Sequence, residues 1–190
     1  VVDEVLNGTV NEEVASFVAS HDCDVQRIAG KQVLRCRKLE QDPDLGFVGE
    51  IKEVETDLIL EALDAGKMPI LSSTGSDDSG QCYNVNADTA AARVAMALGA
   101  RRLVYLSDVP GLLRNPEDPD SLLSSLPVHK VQPLKEEGVI AQGMLPKVNS
   151  AVDALKSGVN RVHFIDGRLA HSILLEIFTD QGIGTEIVHS

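Results

Sequence analysis

Two carboxamides and a carboxylate arrive together in Tyr83-Asn84-Val85-Asn86-Ala87-Asp88, where a strand-like approach meets an alanine-rich segment. Side chains of extended chain alternate between faces, so Asn84 and Asn86 project on the same side. Asp88 has a plainer alternative as a helix N-cap, a place where Asp and Asn are common. A second run, Gly138 through Lys147, is a glycine-bearing loop feeding a helix whose first turn carries Lys147. Lysine there opposes the helix dipole, and that cost is explained if free N–H groups, dipole and ammonium converge on a phosphate. The run is not a Walker A sequence, and a solvated lysine is its alternative. In Leu106-Ser107-Asp108-Val109-Pro110-Gly111, Ser107 and Asp108 suit ribose hydroxyls at a strand end, or an Asx turn before Pro-Gly. Asp166-Gly167-Arg168 and Gly182-Ile183-Gly184-Thr185 fit backbone-mediated binding of a small polar ligand, and equally fit helix stops. No histidine has metal-ligand spacing, no Ser-His-Asp motif is present, and His163, alternating with strand residues, reads as buried and hydrogen-bonded.

These residues need elements to hold them. Asn11-Glu12-Glu13 opens an amphipathic helix through Val18; Val25 to Ala29, Val33 to Leu39 and Phe47 to Val54 read as strands. Thr56-Asp57 starts a helix that ends at Gly66, and Met68 to Leu71 is a buried strand leading to a polar loop from Ser72 to Gly80. A helix runs from Asp88 to Leu98, a strand from Leu103 to Leu106, and an exposed loop from Arg114 to Asp120. Pro146 sits at the first position of a helix reaching Gly158; strand Val162 to Ile165, helix Ala170 to Thr179 and strand Thr185 to Val188 complete the chain. Helices alternating with short apolar strands predict an α/β fold, a mainly parallel sheet with helices on both faces. Ligands gather at carboxyl ends of such strands, here after Leu71, Leu106 and Ile165.

The 190 residues carry 17 Lys plus Arg against 29 Asp plus Glu, a formal charge of −12. That acidity argues against sequence-independent binding to nucleic acid or anionic membrane. No apolar run approaches the ~20 residues of a membrane helix. Four Phe, two Tyr and no Trp leave the core to Val, Leu, Ile and Ala. Cys23, Cys36 and Cys82, odd in number and without C-x-x-C spacing, favour a reduced cytoplasmic setting over disulfides or zinc. The chain opens in mid-pattern at Val1-Val2-Asp3-Glu4-Val5, without Met, which reads as an upstream portion processed, cut away or left out.

Taken together, Val48-Gly49-Glu50-Ile51, Tyr83 through Ala91, Leu106 through Gly111, Gly143-Met144-Leu145-Pro146-Lys147-Val148 and Ile165 through Arg168 with Gly184-Thr185 closely resemble the amino acid kinase family, and within it the acetylglutamate kinases. The resemblance covers nearly the whole chain. It implies an αβα sandwich, N-terminally incomplete, with a partial amino-acid-substrate lobe in 1–99 and a nucleotide-binding lobe in 100–190. The implied reaction is ATP-dependent phosphorylation of the side-chain carboxylate of N-acetyl-L-glutamate, a step of arginine biosynthesis, with Mg2+ held mainly by the nucleotide phosphates and no metal ligand among protein side chains. Asp88 would organise the phosphate lysines, of which Lys147 is one; Asn84, with Asn86 beside it, would hold the amino-acid substrate; Ser107, Asp108, Gly143 and Met144 would receive nucleotide. The family's second phosphate lysine and its two glycine-rich loops have no counterpart in these residues, so this chain alone is expected to be inactive. Ser107 stands where threonine is usual, and Ala141-Gln142-Gly143 where two adjacent glycines are common. Competing readings are a kinase for a related acidic amino acid such as an aminoadipate derivative, and a non-catalytic arginine-sensing module. His163, Glu176, Gly182 and Gly184, with Arg114, match the arginine effector pattern of sensitive family members. The family also implies a homodimer or higher homo-oligomer that pairs through the substrate lobe.

Overall fold

The computed structural model describes residues 1–140 and 143–189, and the chain divides into two compact units, Val1–Ala97 and Leu98–Ser190. Unit 1 begins with a π-helical segment, Glu4–Val10, that runs straight into α1 (Asn11–Ala19). β1 (Val25–Ile28) pairs in parallel with β4 (Met68–Leu71). Arg27 reaches α1, donating from Nε to Asn11 Oδ1 at 2.9 Å. Gln26, Arg27 and Ile28 line a cleft with Leu58, Glu61 and Ala62 of α2 (Asp57–Asp64), and both helices pack on this pair.

The other sheet of unit 1 has the order β3-β2-β5-β6, built from β2 (Leu34–Lys38), β3 (Gly49–Val54), β5 (Thr74–Ser76) and β6 (Cys82–Asn84). β2 is antiparallel to β3, parallel to β5, and β5 folds back on β6 as a hairpin. α3 (Ala87–Ala97) packs against β3, and its buried Ala90, Ala92 and Ala95 permit close contact with the sheet. β5 corrects the expected loop over Ser72 to Gly80. Its residues Thr74, Gly75 and Ser76 are all buried without one large apolar side chain. The hydroxyls are satisfied internally: Thr74 Oγ1 accepts from Asn7 Nδ2 at 3.2 Å, and Ser76 Oγ donates to Lys31 O at 2.8 Å. A strand made this way looks like a loop in the sequence because its burial rests on hydrogen bonds rather than on apolar area.

In unit 2, β7 (Arg102–Ser107) and β9 (Arg161–Asp166) pair in parallel from Arg102 opposite Arg161 to Ser107 opposite Asp166. β10 (Thr185–Val188) is antiparallel to β9 and parallel to β8 (Ser125–Pro127), giving the order β7-β9-β10-β8. β8 and α4 (Val131–Glu136) fall where the sequence offered no element. Both contain a proline in a tolerated place: Pro127 on an edge strand, Pro133 in a first helical turn whose N–H groups have no intrahelical partner.

α5 (Leu145–Lys156) and α6 (Ser172–Phe178) cover opposite faces of this sheet. Tyr105 and Phe164, partners in register, stack with ring centroids 5.2 Å apart, and the Lys147 ammonium of α5 lies 6.0 Å from the Tyr105 centroid. His163, one residue before Phe164 and therefore on the other face, bonds Glu176 of α6 at 2.7 Å. Val148, Ala151, Ala154, Leu155, Val162, Phe164 and Ile187 are completely buried and form the core between α5 and the sheet. Among the described residues four strand pairings are parallel and three antiparallel, a mixed α/β fold in which parallel pairing predominates. No helix among the described residues is long and apolar enough to cross a membrane.

Candidate functional site

In unit 1 the main-chain N–H of Asn84 donates to Phe47 O at 2.8 Å and its side chain is exposed. Tyr83 and Val85 are buried on either side of it, so Asn84 and Asn86 do share the outward face. Asn86, not Asp88, caps α3. Its Oδ1 accepts from Thr89 N at 3.0 Å and Thr89 Oγ1 at 3.2 Å, and its carbonyl accepts the first helical bond from Ala90 N at 2.9 Å. Asp88 is the second residue of α3, where a carboxylate complements the helix dipole. Sequence reasoning missed a polar network nearby in the chain's fold. Lys31 Nζ lies 2.6 Å from Asp3 Oδ2; Asn7 donates to Asp3 and accepts from Ser72 Oγ, which itself accepts from Gly30 N at 2.9 Å. The Lys31 bond holds the Asp3 carboxyl below its ordinary range, and the Asp3 bond raises the Lys31 ammonium. Its members lie too far apart in sequence for spacing to signal them.

In unit 2, Gly143 and Met144 form the turn into α5; Ala141 and Gln142 of the same loop lie outside the described residues. Met144 is the N-cap and makes no side-chain cap hydrogen bond. Pro146 is the second helical residue rather than the first, and Lys147 the third. α5 leads directly back into β9, so its first turn lies at the carboxyl end of β7 and β9, as the Lys147–Tyr105 contact shows. Ser107 ends β7 there, with Ser107 Oγ donating to Asp108 Oδ1 at 3.4 Å. Opposite Ser107 stands Asp166, whose carboxyl is held down at about 2 by the side chain and then the N–H of Arg168.

A cavity of about 610 Å³ in unit 2 brings together His163, Glu176, Gly182 and Gly184 with Arg102, Arg161 and Glu186. Glu176 is buried, and each of its oxygens has a donor. Oε1 accepts from His163 Nδ1 at 2.7 Å; Oε2 accepts from Ile183 N at 2.8 Å and Gly184 N at 2.9 Å. Burial pushes this carboxyl up, but His163 and the two amides together outweigh it and leave the group below its ordinary value. His163 Nε2 is buried with no hydrogen-bond partner among the described residues. Both glycines are demanded by geometry and not merely by helix ends. Gly182 has φ +63°, and a Cβ there would lie 2.6 Å from Glu176 Oε2; a Cβ on Gly184 would collide with Phe164 O. Arg114 does not line the cavity; it is exposed, 3.9 Å from Glu137. The cavity's basic residues are Arg102 and Arg161, the latter 2.8 Å from Glu186. They were not singled out because each reads as an ordinary solvated strand residue.

A profile described as the amino acid kinase family matches residues 1–166. The acetylglutamate kinase of Carboxydothermus hydrogenoformans is 45% identical, aligned over 97% of this chain and 67% of its own length. This chain thus spans about two thirds of the length of the curated relatives it matches. A solved structure from Streptococcus mutans, smu.665, superposes with a TM-score of 0.82 at 28% identity, covering 98% of this chain and 70% of that one. N-acetylglutamate synthase from Neisseria gonorrhoeae, complexed with coenzyme A and L-arginine, superposes with a TM-score of 0.77 at 29% identity, covering 98% and 47%. The chain is that of a kinase and belongs to the amino acid kinase family.

Proposed function

We propose that the protein transfers the γ-phosphoryl group of ATP to the side-chain carboxylate of N-acetyl-L-glutamate. The observation that carries this reading is the 45% identity to an acetylglutamate kinase along 97% of the chain. The chemistry asks little of the protein. A carboxylate is already ionised at neutral pH, so the acceptor needs no general base, only positioning and neutralisation of the charge on acceptor and phosphates. Unit 1 serves as the amino-acid-substrate lobe, Asn84 and Asn86 holding the substrate's polar backbone. Unit 2 serves as the nucleotide lobe, with Ser107 and Asp108 at the end of β7 and Gly143 and Met144 at the start of α5. Lys147 neutralises the transferring phosphoryl group, and Asp88 holds the phosphate cations in place. Mg2+ held mainly by the nucleotide's phosphate oxygens would supply further charge neutralisation. Self-association belongs to the same reading, and exposed Val10, Val14 and Phe17 at i, i+4 and i+7 form an apolar stripe of unit 1 that would serve it.

The test is hydroxylamine trapping of the acyl phosphate, run on the complete gene product and on this chain by itself. N-acetylglutamate is expected to give hydroxamate in the complete product, and Lys147→Met to lower the rate by about 10² to 10³, the usual cost of one transition-state charge donor. By itself this chain, holding one of the family's two phosphate lysines, is expected to turn over at least as slowly. If an aminoadipate derivative is the preferred acceptor, the substrate assignment is wrong while the reaction class stands. A second reading attaches to the unit 2 cavity: Glu176, His163, Gly182 and Gly184 around about 610 Å³ support an arginine effector site. Calorimetric titration with arginine checks it, and heat equal to dilution removes it.

A further inference from the structure

The run Asp166-Gly167-Arg168 has no part in the reaction as described above. β7 and β9 end side by side, and the ladder goes one step further as Gly167 N–H donates to Ser107 O at 2.8 Å. Asp166 is only 7% exposed, and among the described residues its carboxylate is taken up by Arg168. Oδ1 accepts from Arg168 N and Nε, both at 2.9 Å, and Oδ2 accepts from Nη2 at 2.7 Å. The main-chain bond alone would close this turn, as an Asx turn does. The side-chain fork does something else: it fixes the orientation of a guanidinium whose side chain remains 67% exposed. Exposed ion pairs contribute little stability, so the lock has more value as preorganisation of a cation that meets something else.

Where that cation stands follows from strand alternation. Asp166 is two residues beyond Phe164 and shares its face, the face covered by α5, whose first turn carries Lys147. Arg168 therefore belongs to the carboxyl edge of β7 and β9, beside Ser107 and within the field of Asp108. Guanidinium has five N–H groups; Asp166 engages Nε and Nη2, leaving the Nη1 edge for a planar, bidentate partner. Phosphate oxygens are the partner such a fork fits best.

We propose that Arg168 is a nucleotide-binding residue of unit 2 that grips a phosphate of the bound nucleoside di- or triphosphate, with Asp166 as its positioning residue. This rests on the kinase reading, because it requires a nucleotide at that edge. The experiment is calorimetric titration of this chain with ADP and, separately, with adenosine, for the parent and for Arg168→Met, Arg168→Lys and Asp166→Asn. Loss of one charge-assisted contact is expected to weaken ADP about tenfold in Arg168→Met and to leave adenosine unchanged. Arg168→Lys, which keeps the charge but loses the fork, falls in between and keeps the idea falsifiable should the methionine variant fail to fold. Asp166→Asn retains the guanidinium but loosens it, and weakens ADP less than Arg168→Met. Equal ADP affinity in parent and Arg168→Met overturns the proposal and leaves the nucleotide reading standing. Parallel loss of adenosine and ADP marks Arg168 as structural and also overturns it. A parent chain that takes up neither ligand removes the proposal and the nucleotide reading together.

Discussion

Unit 1 and unit 2 bring segments of chain into close contact by partly different means. Unit 1 leaves side chains out. A Cβ at Gly30 would run into the backbone oxygens of Ser72 and Thr74, one at Gly75 into Cys36 Sγ, and one at Gly49 would lie 2.8 Å from Tyr83 Cβ. Unit 2 also leaves side chains out, at Gly182 and Gly184, but adds buried charge, drawing that loop in with the Glu176 carboxylate. The first device is steric and indifferent to pH; the second is electrostatic and depends on ionisation. Each should therefore fail in its own way.

The largest expected effect is in unit 2. Glu176→Gln removes the charge that faces His163 and the amides of Ile183 and Gly184, and each hydrogen bond to a charged group that is weakened costs about 1.5–3 kcal/mol. Denaturant unfolding at pH 7 measures it. The acid limb gives a sharper test. Because the folded-state value of Glu176 is depressed below 4.5, its contribution is fully present above that pH and is lost as pH falls through the folded value. The parent should lose stability on acidification there, and Glu176→Gln should show a shallower limb. Identical limbs would mean that the carboxylate is not what holds the loop.

Gly30→Ala is the counterpart in unit 1. Its Cβ meets backbone rather than a movable side-chain tip, so the strands must shift, at about 2–3 kcal/mol. The penalty should be the same at pH 7 and pH 5. A neutral substitution would show that Gly30 is permitted there rather than required.

What the sequence disclosed follows the same division. Periodicity located α2, α3, α5 and β9 to within a residue or two, because apolar burial writes itself at regular spacing; β4 stands where expected but is not the buried strand its apolar run suggests, with Met68 exposed and the rest half-buried. The sequence of β5 resembles a loop because Thr74, Gly75 and Ser76 are buried through hydrogen bonds to Asn7 and Lys31, which lie far away in sequence. His163 was legible as a buried strand histidine, and the resemblance grouped it with Glu176, Gly182 and Gly184. That both Glu176 oxygens accept hydrogen bonds, from His163 and from the Ile183 and Gly184 amides, while the buried His163 Nε2 has no partner among the described residues, is geometry that no spacing encodes. The lock between Asp166 and Arg168 is two residues long and still invisible, since adjacent opposite charges usually solvate separately.

The smallest expected effect separates structure from function at a single residue. Asn86 caps α3 through Thr89, and by the proposed function it also borders the acidic substrate. Asn86→Ala deletes the cap and should cost about 1 kcal/mol, read as a lowered denaturation midpoint. Asn86→Asp keeps a cap of equal quality and should leave that midpoint where it was. The aspartate nevertheless sets a negative charge where a dicarboxylic substrate must come. In the complete gene product it should raise KM for N-acetylglutamate while KM for ATP stays put. A raised KM in Asn86→Ala with none in Asn86→Asp would mean that the residue acts on the substrate only by holding the end of α3, and Asn84 alone would then remain as the carboxamide of the substrate lobe.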